Sequence, residues 1–170
     1  MDGLHCAPSC TMCCAHFIVQ VGTPFRLSLN LALGGMNQPR LIFTLKGSQH
    51  YVAGASVSSS ELASISSTTV ALNFEGADID DEDLLKLPPL PLLRCLDLDS
   101  TKITDTSISV VSRFPALEEL WLECTAITDN GLEPLKSCAS LKFVSLAYTA
   151  VTPSGIASLE SSISGIEIEK

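Results

Sequence analysis

The residues with the clearest chemical potential are cysteines near the start of the chain. Cys6, Cys10 and Cys13 have the Cys-x3-Cys-x2-Cys spacing that can hold an iron–sulfur cluster, because three thiolates on one short segment reach the same iron. The neighbouring side chains that could also bind a soft metal are Cys14, His5 and His16. Metal binding, lipidation of Cys13 or Cys14, and simple disorder are the alternatives for this segment.

An enzyme built on these cysteines conflicts with the length of the chain. Radical enzymes that use this spacing need a barrel, and 170 residues are too few for a barrel with a second domain. No glycine-rich phosphate loop follows a strand-like segment, and the histidines all lie outside the repeating part of the chain. We therefore predict a non-catalytic protein with no cofactor, no metal site and no catalytic residues.

An acidic run in the middle of the chain is a second candidate for cation binding. Asp78, Asp80, Asp81, Glu82 and Asp83 are crowded together, but the glycine that a calcium loop requires is missing. Aspartate also caps helices, and the helix dipole favours acidic residues in a first turn. We interpret the run as a helix start.

Composition restricts the partners. The net charge is −9, from 10 Lys+Arg and 19 Asp+Glu, so nucleic acids and anionic membrane surfaces would be repelled and a basic protein surface is the natural complement. The apolar run at 12–21 has about half of the roughly 18 residues that a membrane helix needs. An odd set of seven cysteines and an acidic start favour a cytoplasmic location, with non-classical secretion left open.

The first third of the chain shows no repeat. Residues 1–24 lack periodicity and end in Gly-Thr-Pro, which predicts a disordered tail. Residues 25–33 alternate between apolar and polar, 34–38 contain two glycines, and 41–45 are mostly apolar. This order predicts a β-hairpin.

A short helix is predicted after the hairpin. Its candidate N-caps are Ser58, Ser59 and Ser60, because a serine hydroxyl accepts a hydrogen bond from an amide at a helix start. Hairpin and helix together predict an N-terminal cap over residues 25–68.

From residue 69 to residue 170 the chain repeats every 24 residues. Each unit opens with a short alternating strand, whose buried pairs are predicted to be Leu72 and Phe74, Leu96 and Leu98, Leu120 and Leu122, and Val144 and Leu146. A buried aliphatic residue follows at Ile79, Ile103, Ile127 and Val151. The next position can cap a helix and holds Asp80, Thr104, Thr128 and Thr152. No unit could bury its strand and helix alone, so the units must stack.

The most regular segments, LRCLDL at 93–98 with TKITD at 101–105 and LEELWL at 117–122 with TAITD at 125–129, resemble the leucine-rich repeat family. The resemblance implies an α/β solenoid, a right-handed β–α superhelix with a parallel sheet on its concave side and helices outside. It also implies that the threonines at a position where the family often has asparagine satisfy backbone groups of the turn; these are Thr101, Thr125 and Thr149. The last full unit departs from the pattern at Val144 and Pro153.

Strand positions between the buried leucines must point out of the concave sheet. The residues predicted there to bind a partner are Asn73, Glu75, Asp97, Asp99, Glu119, Trp121, Glu123, Phe143 and Ser145, with Tyr148 close by. Trp121 and Phe143 are predicted to be diagonal neighbours, and aromatic anchors surrounded by charge are typical of protein interfaces. The alternative is that the N-terminal region or another chain simply covers them.

We therefore predict a non-catalytic protein–protein interaction module that binds a basic or amphipathic protein partner on this acidic, aromatic-centred face. The second hypothesis is a structural protein that self-associates through the same patch or through the open terminal strand. A metal-dependent redox protein built on the N-terminal cysteines is the third. The oligomeric state does not follow from the sequence.

Overall fold

The structure, a computed structural model, describes residues 18–20, 26–28, 41–45, 48–53 and 56–170. The cysteines predicted to offer a metal or lipidation site, Cys6, Cys10, Cys13 and Cys14, lie outside the described residues. The chain divides into two units, Met1–Met36 and Asn37–Lys170. In the first unit, strand β1 (Ile18–Gln20) pairs antiparallel with β2 (Arg26–Ser28).

The second unit is a seven-stranded sheet with its strands in sequence order. These strands are β3 (Leu41–Leu45), β4 (Ser48–Val52), β5 (Thr69–Asn73), β6 (Cys95–Asp97), β7 (Glu119–Trp121), β8 (Phe143–Ser145) and β9 (Glu167–Glu169). β3 and β4 are antiparallel, whereas the six strands from β4 to β9 are parallel. The helices between them are α1 (Ser59–Ala63), α2 (Asp81–Leu84), α3 (Asp105–Val111), α4 (Asp129–Leu132), a 3-10 turn (Pro134–Ser137) and α5 (Pro153–Ser162).

The predicted repeat sets the register of the sheet. Leu72, Leu96, Leu120 and Val144 are consecutive cross-strand partners, and each is at most 1% exposed. The helices stack in the same order, with α2 against α3 and α4 against both α3 and α5. Strand and helix faces therefore close one continuous aliphatic core, as stacked β–α units must.

The predicted helix starts are confirmed. Asp80, Thr104, Thr128 and Thr152 are the N-caps of α2 to α5, and each side chain accepts a hydrogen bond from an amide of the first turn. Ser58 caps α1 and forms a capping box with Glu61. The Asp80 cap explains the acidic run without a calcium ion.

The threonines of the turns have the role that the family resemblance implies. The hydroxyl groups of Thr101, Thr125 and Thr149 donate to the carbonyl oxygens three residues earlier, at 2.6, 2.5 and 2.6 Å. Thr101 and Thr125 are buried, so each hydroxyl satisfies a carbonyl that water does not reach.

The strand pairing near the N-terminus differs from the predicted hairpin. Leu41–Leu45 pairs with Ser48–Val52 rather than with residues 25–33, and Arg26–Ser28 pairs with Ile18–Gln20. Only two residues separate β3 from β4, and such short connections favour antiparallel neighbours. β4 also pairs in parallel with β5, so the sheet continues before residue 69. The predicted boundaries at 24 and 68 remain predictions, and the turn at 34–38 lies outside the described residues.

A contact that repeats between units was not expected. The carboxylate of Asp81 accepts from the amide and hydroxyl of Thr104, at 2.8 and 2.6 Å, and Asp105 and Asp129 bind Thr128 and Thr152 in the same way. Each first-turn aspartate therefore ties its helix to the cap of the next one. Pro153 takes the aspartate's place in the last unit.

Candidate functional site

The residues predicted to bind a partner lie on one side of the sheet, opposite the buried leucines. In β6 and β7 the central leucine is buried and the residues on either side of it are half-buried. Asp97, Trp121 and Ser145 are cross-strand partners in one row, and Cys95, Glu119 and Phe143 form the next row. We call this side of β5 to β8, with the residues that directly follow each strand, the open sheet face.

The predicted aromatic pair forms at the centre of the open sheet face. The ring centroids of Trp121 and Phe143 are 4.7 Å apart and the rings are tilted by 47°, an arrangement within the favourable range for aromatic pairs. Both side chains are half-buried. Tyr148 lies in the turn after β8, is 78% exposed, and makes no ring contact with a described residue. The structure therefore brings together two of the three predicted aromatic residues.

Tyr148 belongs to a second series that the sequence did not reveal. It has a positive φ of 58°, and the residues one, two and three units earlier, Cys124, Ser100 and Gly76, have φ values of 53°, 56° and 65°. The left-handed conformation turns the chain after each strand. Of these four residues only Gly76 is a glycine, the residue type that indicates such a turn in a sequence.

Polar side chains beside the aromatic pair form a chain of hydrogen bonds across four strands. The side-chain amide of Asn73 donates to Asp97 at 2.7 Å, and Asp97 also accepts from the backbone amide of Asp99 at 3.1 Å. Asp99 in turn accepts from the Glu123 amide at 2.6 Å, and Glu123 accepts from the Ser145 hydroxyl at 2.6 Å. The sequence placed these residues on one face, but their mutual hydrogen bonds depend on the strand register.

Burial and mutual repulsion raise the pKa values of the acids in this chain. Burial raises the pKa of Asp97 to about 7 and, together with the charge of Asp97, that of Asp99 to about 8. The pKa of Glu75 is also raised, by burial and then by the charge of Glu123. The ion pairs of the described residues join other side chains, so no described cation neutralises this group.

Cys95 and Glu119 are cross-strand partners in the row that also contains Phe143. Burial, followed by the charge of Glu119, raises the pKa of the Cys95 thiol well above its ordinary value. Burial also raises the pKa of Glu119, whose buried Oε2 has no hydrogen-bond partner among the described residues. The thiol therefore stays protonated at neutral pH, and a protonated thiol is a poor nucleophile and a poor metal ligand.

The part of the chain that the structure describes contains neither a cluster of metal-binding side chains nor a membrane-spanning helix. Its His, Cys, Asp and Glu side chains include no group of three or more placed to hold a metal ion. Among the same residues, no helix has the length and apolar character to cross a bilayer.

Comparison with known proteins supports the repeat. Residues 90–112 match the family described as Leucine Rich repeat, and these residues run from the turn before β6 into α3, which is close to one unit. No catalytic family is found. A search of curated proteins finds no match to the chain. Six parallel strands alternate with helices, and cross-strand partners from β5 to β9 are 24 residues apart. Together with the family match, this arrangement is consistent with a leucine-rich repeat solenoid, a kind of domain that is generically a protein-interaction module.

Proposed function

We propose that this solenoid is a non-catalytic protein–protein interaction module and that its partner is a protein with a basic or amphipathic surface, bound on the open sheet face. The observation that carries the proposal is the Trp121–Phe143 pair, half-exposed on a face that also carries the carboxylates of Asp97, Asp99 and Glu123. Aromatic side chains that keep accessible surface beside charged groups are enriched at the centres of protein interfaces.

Charge supports a basic partner. Burial and neighbouring acids, among them Glu123, raise the pKa values of Glu75, Asp97 and Asp99, and none of these four acids has an ion-pair partner among the described residues. A cationic side chain would relieve that repulsion, whereas nucleic acid would add to it. The net charge of −9 would also speed the approach of a basic protein.

The proposal is tested with a variant that carries Trp121→Ala and Asp97→Asn together. We expect it to keep the circular dichroism spectrum of the original protein and to lose partners in affinity capture quantified by mass spectrometry. The matched control carries Lys102→Gln and Asp78→Asn, which removes an exposed ion pair away from the open sheet face. Equal recovery of partners by both variants would contradict binding on this face.

Self-association is the second candidate, and it is favoured by the outer side of β9, with which no strand among the described residues pairs. An edge strand offers unpaired amides and carbonyls to another chain. The exposed Glu167 and Glu169 would repel a second copy paired edge to edge. Light scattering across a concentration series separates the candidates, because a partner-binding monomer keeps a constant mass.

The cytoplasmic location predicted from the cysteines is part of the same proposal. Cell fractionation with an epitope tag tests it, and recovery of the protein mainly from the medium would contradict it.

A further inference from the structure

The two sides of the Trp121 ring have different neighbours. Trp121 is on β7, which lies between β6 and β8. Phe143, on β8, packs against the ring from that side. On the β6 side the cross-strand partner of Trp121 is Asp97, followed two residues later by Asp99 on the same face. Neighbouring strands are about 4.8 Å apart, so the carboxylates of β6 lie one strand away from the indole.

Some carboxylate oxygens of this region accept no hydrogen bond from the described residues. Asp97 uses both oxygens, one for the Asn73 amide and one for the Asp99 amide. Asp99 and Glu123 each use only one oxygen, for the Glu123 amide and the Ser145 hydroxyl. The second oxygens of Asp99 and Glu123 accept no hydrogen bond from the described residues. Asp99 and Glu123 follow the adjacent strands β6 and β7, and they are linked by the 2.6 Å hydrogen bond from the Glu123 backbone amide to Asp99.

The chemistry that completes this arrangement is a planar cation. A guanidinium presents a rigid fork of N–H donors that can bridge two carboxylates, and its flat face stacks on an indole. An ammonium supplies charge but neither the fork nor the stacking surface. Among cationic side chains, only arginine therefore matches both halves of the site.

We infer that the protein partner inserts an arginine across the boundary between β6 and β7, with its guanidinium donating to Asp99 and Glu123 and its plane against Trp121. The inference rests on the proposed function and names the residue type that anchors the partner. Phe143 supports the indole from the far side, and Asp97 adds charge without giving up its hydrogen bonds.

Proton release accompanies such binding. The charged groups facing Asp99 are Glu75 after β5, Asp97 at the end of β6 and Glu123 after β7, and all of them are acids. Burial and these charges raise the pKa of Asp99 to about 8, so most of the population is protonated at pH 7. A guanidinium favours the ionised carboxylate. Affinity is therefore expected to fall as the pH drops from about 8 to about 6.

The test uses Trp121 as its reporter, because it is the single tryptophan of the chain. Acetylated and amidated peptides of six arginines or six lysines are titrated while tryptophan emission is followed. We expect the arginine peptide to change the emission and to bind about fivefold more tightly than the lysine peptide, the size of a stacking and bidentate preference. Calorimetry in buffers of different ionisation enthalpy is expected to show proton release.

Variants separate the two halves of the site. Asp99→Asn keeps an oxygen for the Glu123 amide but loses the charge, so we expect both peptides to bind more weakly and the proton release to shrink. Trp121→Leu, followed by calorimetry, is expected to abolish the preference for arginine and to leave the charge-driven part. The control is Glu82→Gln, an exposed acid in α2, which should change nothing beyond a small general effect of charge.

The outcomes distinguish the inference from the function on which it rests. Equal affinity for the two peptides, a preference that survives Trp121→Leu, or the absence of binding would each overturn the arginine anchor. These results leave the proposed function untouched, because it is tested separately by partner capture with the Trp121→Ala and Asp97→Asn variant. Only undiminished capture by that variant overturns the proposed function.

Discussion

Asp81, in the first turn of α2, and Asp99, just after β6 on the open sheet face, are the same residue type in opposite surroundings. Asp81 accepts hydrogen bonds from the Thr104 amide, the Thr104 hydroxyl and the Ser107 hydroxyl. Burial alone would raise its pKa, but these donors outweigh burial and lower it. Among the described residues, Asp99 accepts a single hydrogen bond, from the Glu123 backbone amide at 2.6 Å, and burial followed by the charges of neighbouring acids raises its pKa.

The difference separates stability from recognition. On the helix side of the solenoid, each first-turn aspartate is surrounded by donors of the next unit, so its charge stabilises the stack. On the open sheet face, Asp99 and Glu123 each keep one carboxylate oxygen without a donor among the described residues, and the acids repel one another, so their charge costs stability. Groups held at such a cost are typical of functional sites, where the missing donor belongs to a ligand. The following predictions test whether the two regions differ in this way.

The largest effect is expected for Asp81→Ala. The substitution removes three hydrogen bonds to a carboxylate and leaves the Thr104 amide and the Ser107 hydroxyl without their acceptor. We expect the free energy of unfolding to fall by about 3 kcal/mol. Urea unfolding followed by circular dichroism measures it. The control is Glu82→Ala, the exposed neighbour in the same turn, and an equal loss there would contradict a special role of Asp81.

A smaller loss is expected for Gly131→Ala in α4. An added Cβ would overlap with Asp105 Oδ1 and would lie 3.1 Å from Ile127 Cγ2, so the contact between units must open. We expect a loss of about 2 kcal/mol in the free energy of unfolding. Gly131→Ser is the matched variant, because Ser107 occupies the equivalent position one unit earlier and donates its hydroxyl to Asp81. We expect Gly131→Ser to lose less stability than Gly131→Ala, because its hydroxyl can donate to Asp105 as the Ser107 hydroxyl donates to Asp81. Equal losses for the two variants would contradict this compensation.

The pH dependence of stability is expected to reveal the open sheet face. The raised pKa values of Asp97, about 7, and Asp99, about 8, mean that the folded state binds protons more tightly than the unfolded state. Their contribution is present below the unfolded pKa near 3.8 and is lost as the pH rises through 7 to 8. We expect the free energy of unfolding to fall by about 2 kcal/mol between about pH 6.5 and pH 8.5.

Two other kinds of group bound that interval. Below about pH 6.5, the lowered pKa of buried His50 acts in the opposite direction, because the folded state then binds fewer protons. Towards about pH 8.5, thiols of the unfolded chain ionise while the pKa values of Cys95 and Cys138 stay raised in the folded state, which adds to the same fall. Urea unfolding at a series of pH values gives the curve. A flat or rising profile across the interval would contradict unsatisfied acids on this face.

The smallest effect, and one of opposite sign, is expected for Asp99→Asn. The amide oxygen can still accept from the Glu123 amide, while the charge that repels Asp97 is gone. Because the side chain is half-buried and partly screened, we expect a gain of about 0.5–1 kcal/mol at pH 8.5 and little change near pH 4. Parallel unfolding curves at the two pH values measure it. If Asp99→Asn instead lowers the free energy of unfolding at pH 8.5, the Asp99 carboxylate stabilises the fold as Asp81 does.

Much of the fold could be predicted because it depends on spacing within one unit. Asp80 and Thr104 cap their helices, Leu96 is buried and Thr101 satisfies a turn carbonyl, as the sequence indicates. The diagonal contact between Trp121 and Phe143 also follows from the period. The hairpin near the N-terminus could not be placed, because alternation marks strands without naming their partners.

The sequence by itself determined the 24-residue period, the buried and open faces of each strand and the helix caps, since these depend on residues close together in the chain. Only the tertiary structure decided what each acid meets. Asp81 and Asp99 are the same residue type, but the unit that follows each of them supplies different neighbours. Thr104 and Ser107 donate to Asp81, whereas Glu123 lies beside Asp99 and donates only its backbone amide. The pKa of a carboxylate follows from burial and from neighbouring donors and charges, and those neighbours come from units that the local pattern does not include.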